Sequence, residues 1–221
     1  MDTIKESLHY EIEKQHKAIS DTRDYPVLFS TDMVRAILSG SKTVTRRLFL
    51  PSLSVAMEPA NEIWHDGAEW IARLKNGKCC KKPIVCPFGE PGDYLWVKET
   101  WAPAIDDIAY KADYSEEVLA EKRNQGLWKP SIHMQKNQSR LWLKITDIKA
   151  QRIQTITEEE AREEGIQPGK IYWFDETNES NFREGFLIKW FSIYGIESYY
   201  ENPWVWAIKF DTIKFKPSLT I

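Results

Sequence analysis

The stretch Ser39–Arg47 (SGSKTVTRR) places a lysine and a threonine three positions apart, directly after a helix-like run. A threonine hydroxyl is a weak nucleophile until a base takes its proton, and a lysine becomes such a base only where burial lowers its pKa. Lys42 and Thr45 are therefore a candidate base and nucleophile. The alternative is a polar turn that leads into a solvated strand, and position alone favours this alternative.

The candidate pair requires a particular backbone. In a regular strand Lys42 and Thr45 would point to opposite faces, because side chains alternate. A turn or bulge at Ser41–Lys42 would bring them to one side, and Gly40 makes such a turn accessible. The lysine amine and the threonine hydroxyl should then lie within or near hydrogen-bond distance, roughly 2.6–3.2 Å.

Two glutamates could complete the chemistry. Glu164 lies in the last turn of a helix predicted in TEEEAREEGI, at the negative end of the helix dipole, which suits a proton donor. The alternative interpretation is that Glu164 belongs to an acidic helix face that is exposed to solvent. Glu99 shares a predicted strand face with apolar residues, so it would be partly desolvated and would pair with Lys42, Arg46 or a ligand amine. A strand-end residue that points into a loop is the other interpretation of Glu99.

Aromatic and basic side chains suggest ligand contacts. Tryptophans could stack on a pyrimidine, although core filling is the commoner role, and the candidates are Trp101, Trp128, Trp204 and Trp206. His133 in WKPSIHM could orient a ligand or act as an acid, or it could be a structural hydrogen-bonding residue. Arg46 could steady an oxyanion. The predicted substrate contacts are Arg46, Glu99, Trp101, His133 and Trp206.

The sequence predicts no metal site and no cofactor. Cys79, Cys80 and Cys86 do not have the paired C-x-x-C spacing of structural zinc sites, even with His65 as a fourth ligand. Neither a Gly-rich phosphate cradle nor an H-E-x-x-H or G-x-S-x-G motif occurs.

Composition narrows the class of protein. The net charge of −3 provides no global field that attracts nucleic acid, which favours a small ligand or a short nucleic-acid segment over duplex wrapping. No apolar run approaches the ~20 residues that span a bilayer. The start, MDTIKESLHYEIEKQHK, lacks the apolar region of a signal peptide, and 3 cysteines do not form a disulfide framework. We therefore expect a cytoplasmic protein with no membrane partner.

Hydrophobic periodicity predicts an α+β fold. Helical spacing predicts an N-terminal helix over 3–19, followed by a linker at Ser20–Pro26. It also predicts a helix capped by Ser30 or Thr31 and ended by Gly40, and helices in TEEEAREEGI and SNFREGFLIKWF. Alternating patterns predict strands in KTVTRRLFL, GDYLWVKETW, LWLKITDIKAQRI and PWVWAIKFDTI. A polar insert containing a short helix occupies about 104–138. The separated strands favour a mostly antiparallel sheet or barrel.

Five motifs in this order resemble the ASCH-domain proteins, in particular the longer form common in bacteriophages and prophages. They are PVLFSTDMVRAILSGSKTVTRR, CPFGEPGDYLWVKETW, WKPSIHM, LWLKITDIKAQRIQTITEEEAREEGI and NPWVWAIKF. The resemblance runs from about Pro26 to Phe210. It implies a PUA-like β-barrel flanked by helices, a scaffold associated with RNA binding. It places the ASCH domain at 25–215, after an N-terminal extension and linker at 1–24.

One bacterial branch of this family consists of amidohydrolases that deacylate cytidine acylated on its exocyclic amine. That branch is shorter and lacks the insert at 104–138. Its G-x-K-T-x-T motif, with lysine as proton acceptor and the second threonine as nucleophile, corresponds here to Lys42 and Thr45. Its proton-donor glutamate corresponds to Glu164. The resemblance thus implies an amidohydrolase whose ligand is a modified pyrimidine base or nucleoside.

Two other functions are compatible with the same sequence. A non-catalytic module could bind RNA or modified nucleotides in the same pocket without turnover. A ribonuclease is a third possibility. The residue types at Lys42, Thr45 and Glu164 favour the enzyme, because all three keep the types of the amidohydrolase branch.

Overall fold

The computed structural model describes residues 22–49, 60–66, 69–79, 84–104, 107–121, 128–169, 171 and 180–213. The helix predicted over 3–19 lies outside these residues, as does Cys80.

The described residues form nine strands and five α-helices. The strands are Asp24–Leu28 (β1), Val44–Leu48 (β2), Ala60–His65 (β3), Trp70–Leu74 (β4), Tyr94–Lys98 (β5), Trp101–Pro103 (β6), Ile108–Tyr110 (β7), Trp142–Arg152 (β8) and Trp204–Ile213 (β9). The helices are Thr31–Leu38 (α1), Glu116–Glu121 (α2), Glu158–Glu163 (α3), Phe182–Tyr194 (α4) and Glu197–Tyr200 (α5). Short 3-10 helices lie at Lys111–Asp113, Ser131–His133, Lys136–Gln138 and Ile153–Thr155. None of the described helices combines the length and apolar character needed to cross a bilayer.

A five-stranded sheet organises the molecule. Its strand order is β1-β5-β8-β9-β2, with β1 parallel to β5 and the other neighbours antiparallel. Two antiparallel hairpins, β3-β4 and β6-β7, accompany it. These pairings confirm an α+β fold with a mostly antiparallel sheet. The edge strands β1 and β2 do not pair with each other, so the described strands do not close into a barrel.

The interior strand β9 shows why the alternating sequence forms this sheet. One of its faces is buried from Trp204 to Phe210, at Trp204, Trp206, Ile208 and Phe210. These side chains join the larger core, with α1 and the β3-β4 hairpin. Val205 on the opposite face joins a second core, which contains residues of α3 and α4. The sheet is therefore covered on both faces, and α3 and α4 lie on one side of it.

The helix caps follow the sequence signals. Ser30 caps α1 by accepting a hydrogen bond from the Met33 amide. Thr157 and Glu160 form a reciprocal capping box at the start of α3. Such caps contribute about 1 kcal/mol each, and they fix where the two helices begin.

The linker predicted at Ser20–Pro26 is wrong in its second half, because β1 begins at Asp24. Pro26 lies opposite Trp96 in the parallel pairing of β1 with β5. A proline is tolerated there because β1 is an edge strand, where one side of the backbone needs no partner in the sheet. The local sequence predicted a linker over the whole of Ser20–Pro26. Long-range pairing with β5 instead makes the last part of this stretch a strand.

Gly165 joins three elements at one point. It follows Glu164, the C-cap of α3, and has φ +70°. A Cβ atom at this position would lie 2.6 Å from Lys42 Cβ and 2.8 Å from Ala36 Cβ. The end of α3 therefore packs directly against α1 and against the chain that leaves it, and only glycine fits this approach.

We expect Gly165→Ala to destabilise the protein more than Gly77→Ala, which is a matched control. Gly77 has φ +79° but has open space where a Cβ would be added. Both substitutions carry the left-handed backbone penalty of about 1–2 kcal/mol. Gly165→Ala adds a steric cost of about 1–3 kcal/mol. Urea unfolding of both variants measures the difference, and equal losses of unfolding free energy would contradict the packing at Gly165.

Candidate functional site

The chain turns sharply between α1 and β2. The amides of Ser41 and Lys42 both donate to the Ala36 carbonyl, at 2.9 and 3.0 Å. The Thr43 amide then donates to the Glu163 carbonyl at 2.8 Å, and β2 begins one residue later. The break expected at Ser41–Lys42 is present. Lys42 therefore lies outside the regular strand and forms an isolated bridge with Glu164.

The Lys42 side chain is buried, with 1% of its surface exposed. Its Nζ atom donates to the Val44 carbonyl at 2.7 Å, to the Glu164 carbonyl at 3.0 Å and to Glu164 Oε2 at 2.5 Å. Burial lowers the pKa of Lys42, and the adjacent Glu164 carboxylate opposes that shift. The ring of Phe29 lies 5.8 Å from Nζ and contributes to the dry surround.

Glu164 is the centre of an ion-pair network. Only 4% of its surface is exposed, so it is not part of a solvated acidic face. Its Oε1 atom accepts from Arg46 Nη1 at 3.0 Å, while Oε2 accepts from Lys42. Arg46 Nη2 also donates to Glu160 Oε2 at 2.8 Å. The helix end thus holds one carboxylate between two buried cations, and the charge of Arg46 is balanced by two glutamates.

Thr45 lies on β2 with 3% of its surface exposed, opposite Ile208 of β9. It lines a small cavity of about 40 Å³ together with Glu164. The hydrogen bonds of Lys42 in the described part of the chain go to Val44 and Glu164, and none goes to Thr45. The predicted threonine and glutamate therefore share a cavity, while the lysine lies behind the glutamate.

A second, larger cavity adjoins the first. Its volume is about 370 Å³, and it lies between α1, α4 and the segment after α3. Both cavities are lined by Met33, Glu164, Ile166 and Lys189. Glu164 consequently forms part of the wall of both cavities.

Arg47 is a cavity residue that the sequence interpretation missed. It lines the small cavity, donates from Nη2 to the Leu28 carbonyl at 2.6 Å and lies 5.0 Å from the Phe29 ring. Its Nε atom is buried without a hydrogen-bond partner. Burial lowers the pKa of the Arg47 guanidinium. The alternation of side chains along β2 could have indicated Arg47 as a neighbour of the site, because Arg47 lies on the same face of the strand as Thr45.

Glu99 is buried as predicted, with 1% exposed, but its predicted partners were wrong. Its carboxylate accepts from Arg140 at 2.9 and 3.1 Å, and Lys42 and Arg46 bond elsewhere. Arg140 also binds Asp113. Burial raises the pKa of Glu99, and Arg140 opposes this shift. Glu99 therefore ties the end of β5 to the insert, and it lines neither cavity described above.

The remaining predicted contacts also lie away from the two cavities. Trp206 is fully buried in the larger core, stacked on Phe49 at a centroid distance of 4.3 Å. Trp101 is buried and forms a backbone bridge with Lys129. His133 is exposed on a short 3-10 helix. The structure brings together Lys42, Thr45, Arg46 and Glu164, whereas Glu99, Trp101 and His133 line neither cavity. Trp206 lies opposite Arg47 in the β2-β9 pairing, but its side chain belongs to the larger core.

The described thiols do not form a cluster. Cys79 is exposed, and Cys86 is buried, which raises the pKa of its thiol to about 12. Such a thiol remains protonated at neutral pH and is a poor ligand or nucleophile. Across the described ranges, no group of three or more His, Cys, Asp and Glu side chains comes together as a metal site would require.

Comparison of the chain with models of protein families, with curated proteins and with solved structures gave no match.

Proposed function

We propose that this protein is an amidohydrolase that removes the acyl group from the exocyclic amine of N4-acylated cytidine or cytosine. The observation that carries the proposal is the buried contact of 2.5 Å between Lys42 Nζ and Glu164 Oε2, beside a cavity lined by Thr45. Amide hydrolysis needs a nucleophile, a base for its proton and an acid for the leaving amine. The three side chains have the types that these roles need, as in the amidohydrolase branch that the sequence resembles.

The Lys42–Glu164 pair supplies the base and the acid together. Movement of one proton from Nζ to Oε2 converts an ammonium and a carboxylate into a neutral amine and a carboxylic acid. Burial lowers the pKa of Lys42 and so favours its neutral amine, because the ammonium loses its hydration in a dry site. The neutral amine has a lone pair and only two N–H groups, so it can accept the Thr45 proton after one of its present hydrogen bonds is released.

The acyl transfer then proceeds without a net change in charge. Thr45 Oγ1 bonds to the acyl carbon as its proton passes to Lys42, and the carbonyl electron pair moves onto oxygen. When the oxyanion collapses, the C–N bond breaks and Glu164 protonates the departing amine. The Lys42 ammonium then returns its proton to Glu164, which restores the neutral pair. A water molecule repeats the cycle: its proton passes to Lys42, its oxygen bonds to the acyl carbon, and Glu164 gives a proton to Thr45 as the ester bond breaks.

Arg46 acts in this scheme through Glu164. Its guanidinium holds Oε1 at 3.0 Å and is itself held by Glu160, which fixes the carboxylate against Lys42. We assign Arg46 the role of positioning residue for the acid, because its charge is already shared between two carboxylates.

We also propose that the sheet is an open form of the PUA-like barrel that the resemblance implies, curled but unpaired between β1 and β2. Support comes from the edges of the sheet, because Arg47 of β2 donates to the Leu28 carbonyl of β1 at 2.6 Å. Opposite edges of a flat five-stranded sheet would be about 19 Å apart at a spacing of 4.7–4.9 Å between neighbours. One arginine side chain cannot span that separation, so the sheet must curl strongly.

Incubation of the purified protein with N4-acetylcytidine tests the function directly. We expect free cytidine and acetate to appear, as measured by liquid chromatography. Tight binding of the compound with no product would instead favour a module that binds modified nucleotides. Cleavage of an RNA substrate in the absence of metal, with no deacylation, would favour the ribonuclease.

The roles of Lys42 and Thr45 predict how variants behave. Thr45→Ala and Lys42→Met should each lower kcat by about 10²–10⁴-fold, since each removes one member of the proton-transfer unit. The double variant should be little worse than either single variant, because the pair acts as one unit. Thr45→Ser keeps the hydroxyl and should retain part of the rate. Additive losses in the double variant would contradict a joint role.

Two neighbouring glutamates provide a matched test of the acid. Glu164→Gln keeps the size of the side chain and removes the proton donor, so kcat should fall by about 10²–10⁴-fold. Glu163→Gln changes a half-buried residue that pairs with Lys209 and lines neither of the two cavities, and it should leave kcat unchanged. Thermal unfolding shows whether each variant is folded. Full activity of a folded Glu164→Gln variant would rule out Glu164 as the acid.

A further inference from the structure

The charges around the small cavity do not balance. Three cationic side chains line it, namely Arg46, Arg47 and Lys189, and Glu164 is the one acidic residue among the described residues of its wall. Glu164 already binds Arg46 and the Lys42 ammonium behind it, and Lys189 lies 3.8 Å from Asp32. Excess positive charge in a poorly hydrated space is costly, and an anionic ligand group relieves this cost.

Arg47 carries the excess charge. Its direct partners among the described residues are the Leu28 carbonyl and the Phe29 ring, and no carboxylate there forms an ion pair with it, although Glu164 attracts its charge without direct contact. Its Nε–H group is buried and unbonded, although buried donors are nearly always satisfied. A guanidinium has five N–H donors in a planar fork, which matches the oxygens of a phosphate or carboxylate. Arg47 therefore lines the cavity wall and has one buried donor, Nε–H, without a partner.

We infer that Arg47 binds an anionic phosphate group of the ligand, so that the cavities accept a nucleotide in preference to an uncharged base or nucleoside. This inference rests on the proposed function for the nature of the base, since phosphate is the anionic group that a cytidine derivative carries. Alternation along β2 places Arg47 on the same face as Thr45, two residues further on. Thr45 and Arg47 thus both line the small cavity, at neighbouring points of its wall.

The adjoining cavity fits a mononucleotide better than a polymer. Its volume of about 370 Å³ lies within the range of roughly 300–1,000 Å³ that is typical of small-ligand pockets. Lys189 lines both cavities and is only weakly paired with Asp32, at 3.8 Å. It adds a second cation where the two spaces meet. Beyond this site, a net charge of −3 provides little attraction for a long phosphate backbone.

Calorimetric titrations with cytidine and with cytidine 5′-monophosphate test the inference without requiring turnover. The wild-type protein should bind the monophosphate about 10-fold or more tightly than cytidine, since hydrogen bonds to charged groups have this strength. Arg47→Gln should reduce the affinity for the monophosphate to that for cytidine. Arg47→Lys keeps the charge and should retain part of the preference. Inorganic phosphate should compete with the monophosphate in the wild type only.

Arg73→Gln is the matched control. Arg73 also lies over an aromatic ring, that of Trp64, but it is exposed, pairs with Glu62 and lines neither cavity. This variant should bind both ligands as the wild type does.

If Arg47→Gln fails to fold, an NMR measurement on the wild-type protein replaces the variant. The resonance of the Arg47 Nε–H group should shift when the monophosphate is added but not when cytidine is added.

Several results would overturn the inference. They are equal affinities for the two ligands in the wild type, a preserved preference in a folded Arg47→Gln variant, or tighter binding of an oligocytidine RNA than of the monophosphate. Failure of the proposed function is distinguishable from these. A protein that binds the monophosphate through Arg47 but never releases acetate refutes the reaction alone. A protein that deacylates without any preference for phosphate refutes this inference alone.

Discussion

A buried ammonium group needs oxygen partners for its N–H donors, and Lys42 finds them on two separate segments, Val44 and Glu164. Removing a partner from such a pair costs about 3–5 kcal/mol, because a charge is left buried alone. The exit from α1, the start of β2 and the end of α3 must therefore keep their relative positions. Gly165 makes this approach possible, since a side chain there would collide with Lys42 itself.

The ion-pair network around Glu164 links the capping box of α3 to the Lys42–Glu164 pair. Glu160 belongs to the capping box of α3 and accepts from the Thr157 amide, yet it also binds Arg46. Arg46 binds Glu164, and Glu164 binds Lys42. The start of α3 thus orients the carboxylate at its end through an arginine of β2. In the proposed reaction, this rigid chain of contacts keeps the acid and the base in place before any ligand arrives.

Local patterns in the sequence predicted what depends on near neighbours. The caps at Ser30 and Thr157 and the buried face of β9 follow from residues a few positions apart. The pairing of Glu99 with Arg140 joins residues 41 positions apart, and no periodicity reveals it. The exposure of His133 and the complete burial of Trp206 likewise depend on tertiary packing.

The site was partly predictable for the same reason. Spacing in SGSKTVTRR and TEEEAREEGI indicated Lys42, Thr45 and Glu164, and the fold places them around one network. The contribution of α4 to both cavities could not be read from its sequence, because its apolar spacing indicated only a helix that packs on the core. The sequence did not indicate Arg47, because its lack of an ion-pair partner arises only in the fold. Glu160 and Glu164 bind Lys42 and Arg46 there and form no ion pair with Arg47.

The proposed reaction depends most on the ability of Lys42 to lose its proton inside the fold. An NMR titration that follows the side-chain amine of Lys42 measures this directly. We expect its pKa to lie below the value of about 10.4 for an exposed lysine, because burial outweighs the attraction of Glu164. A pKa at or above that value would mean that the ammonium form persists. Lys42 could then not accept the Thr45 proton, and the proposed mechanism would be wrong.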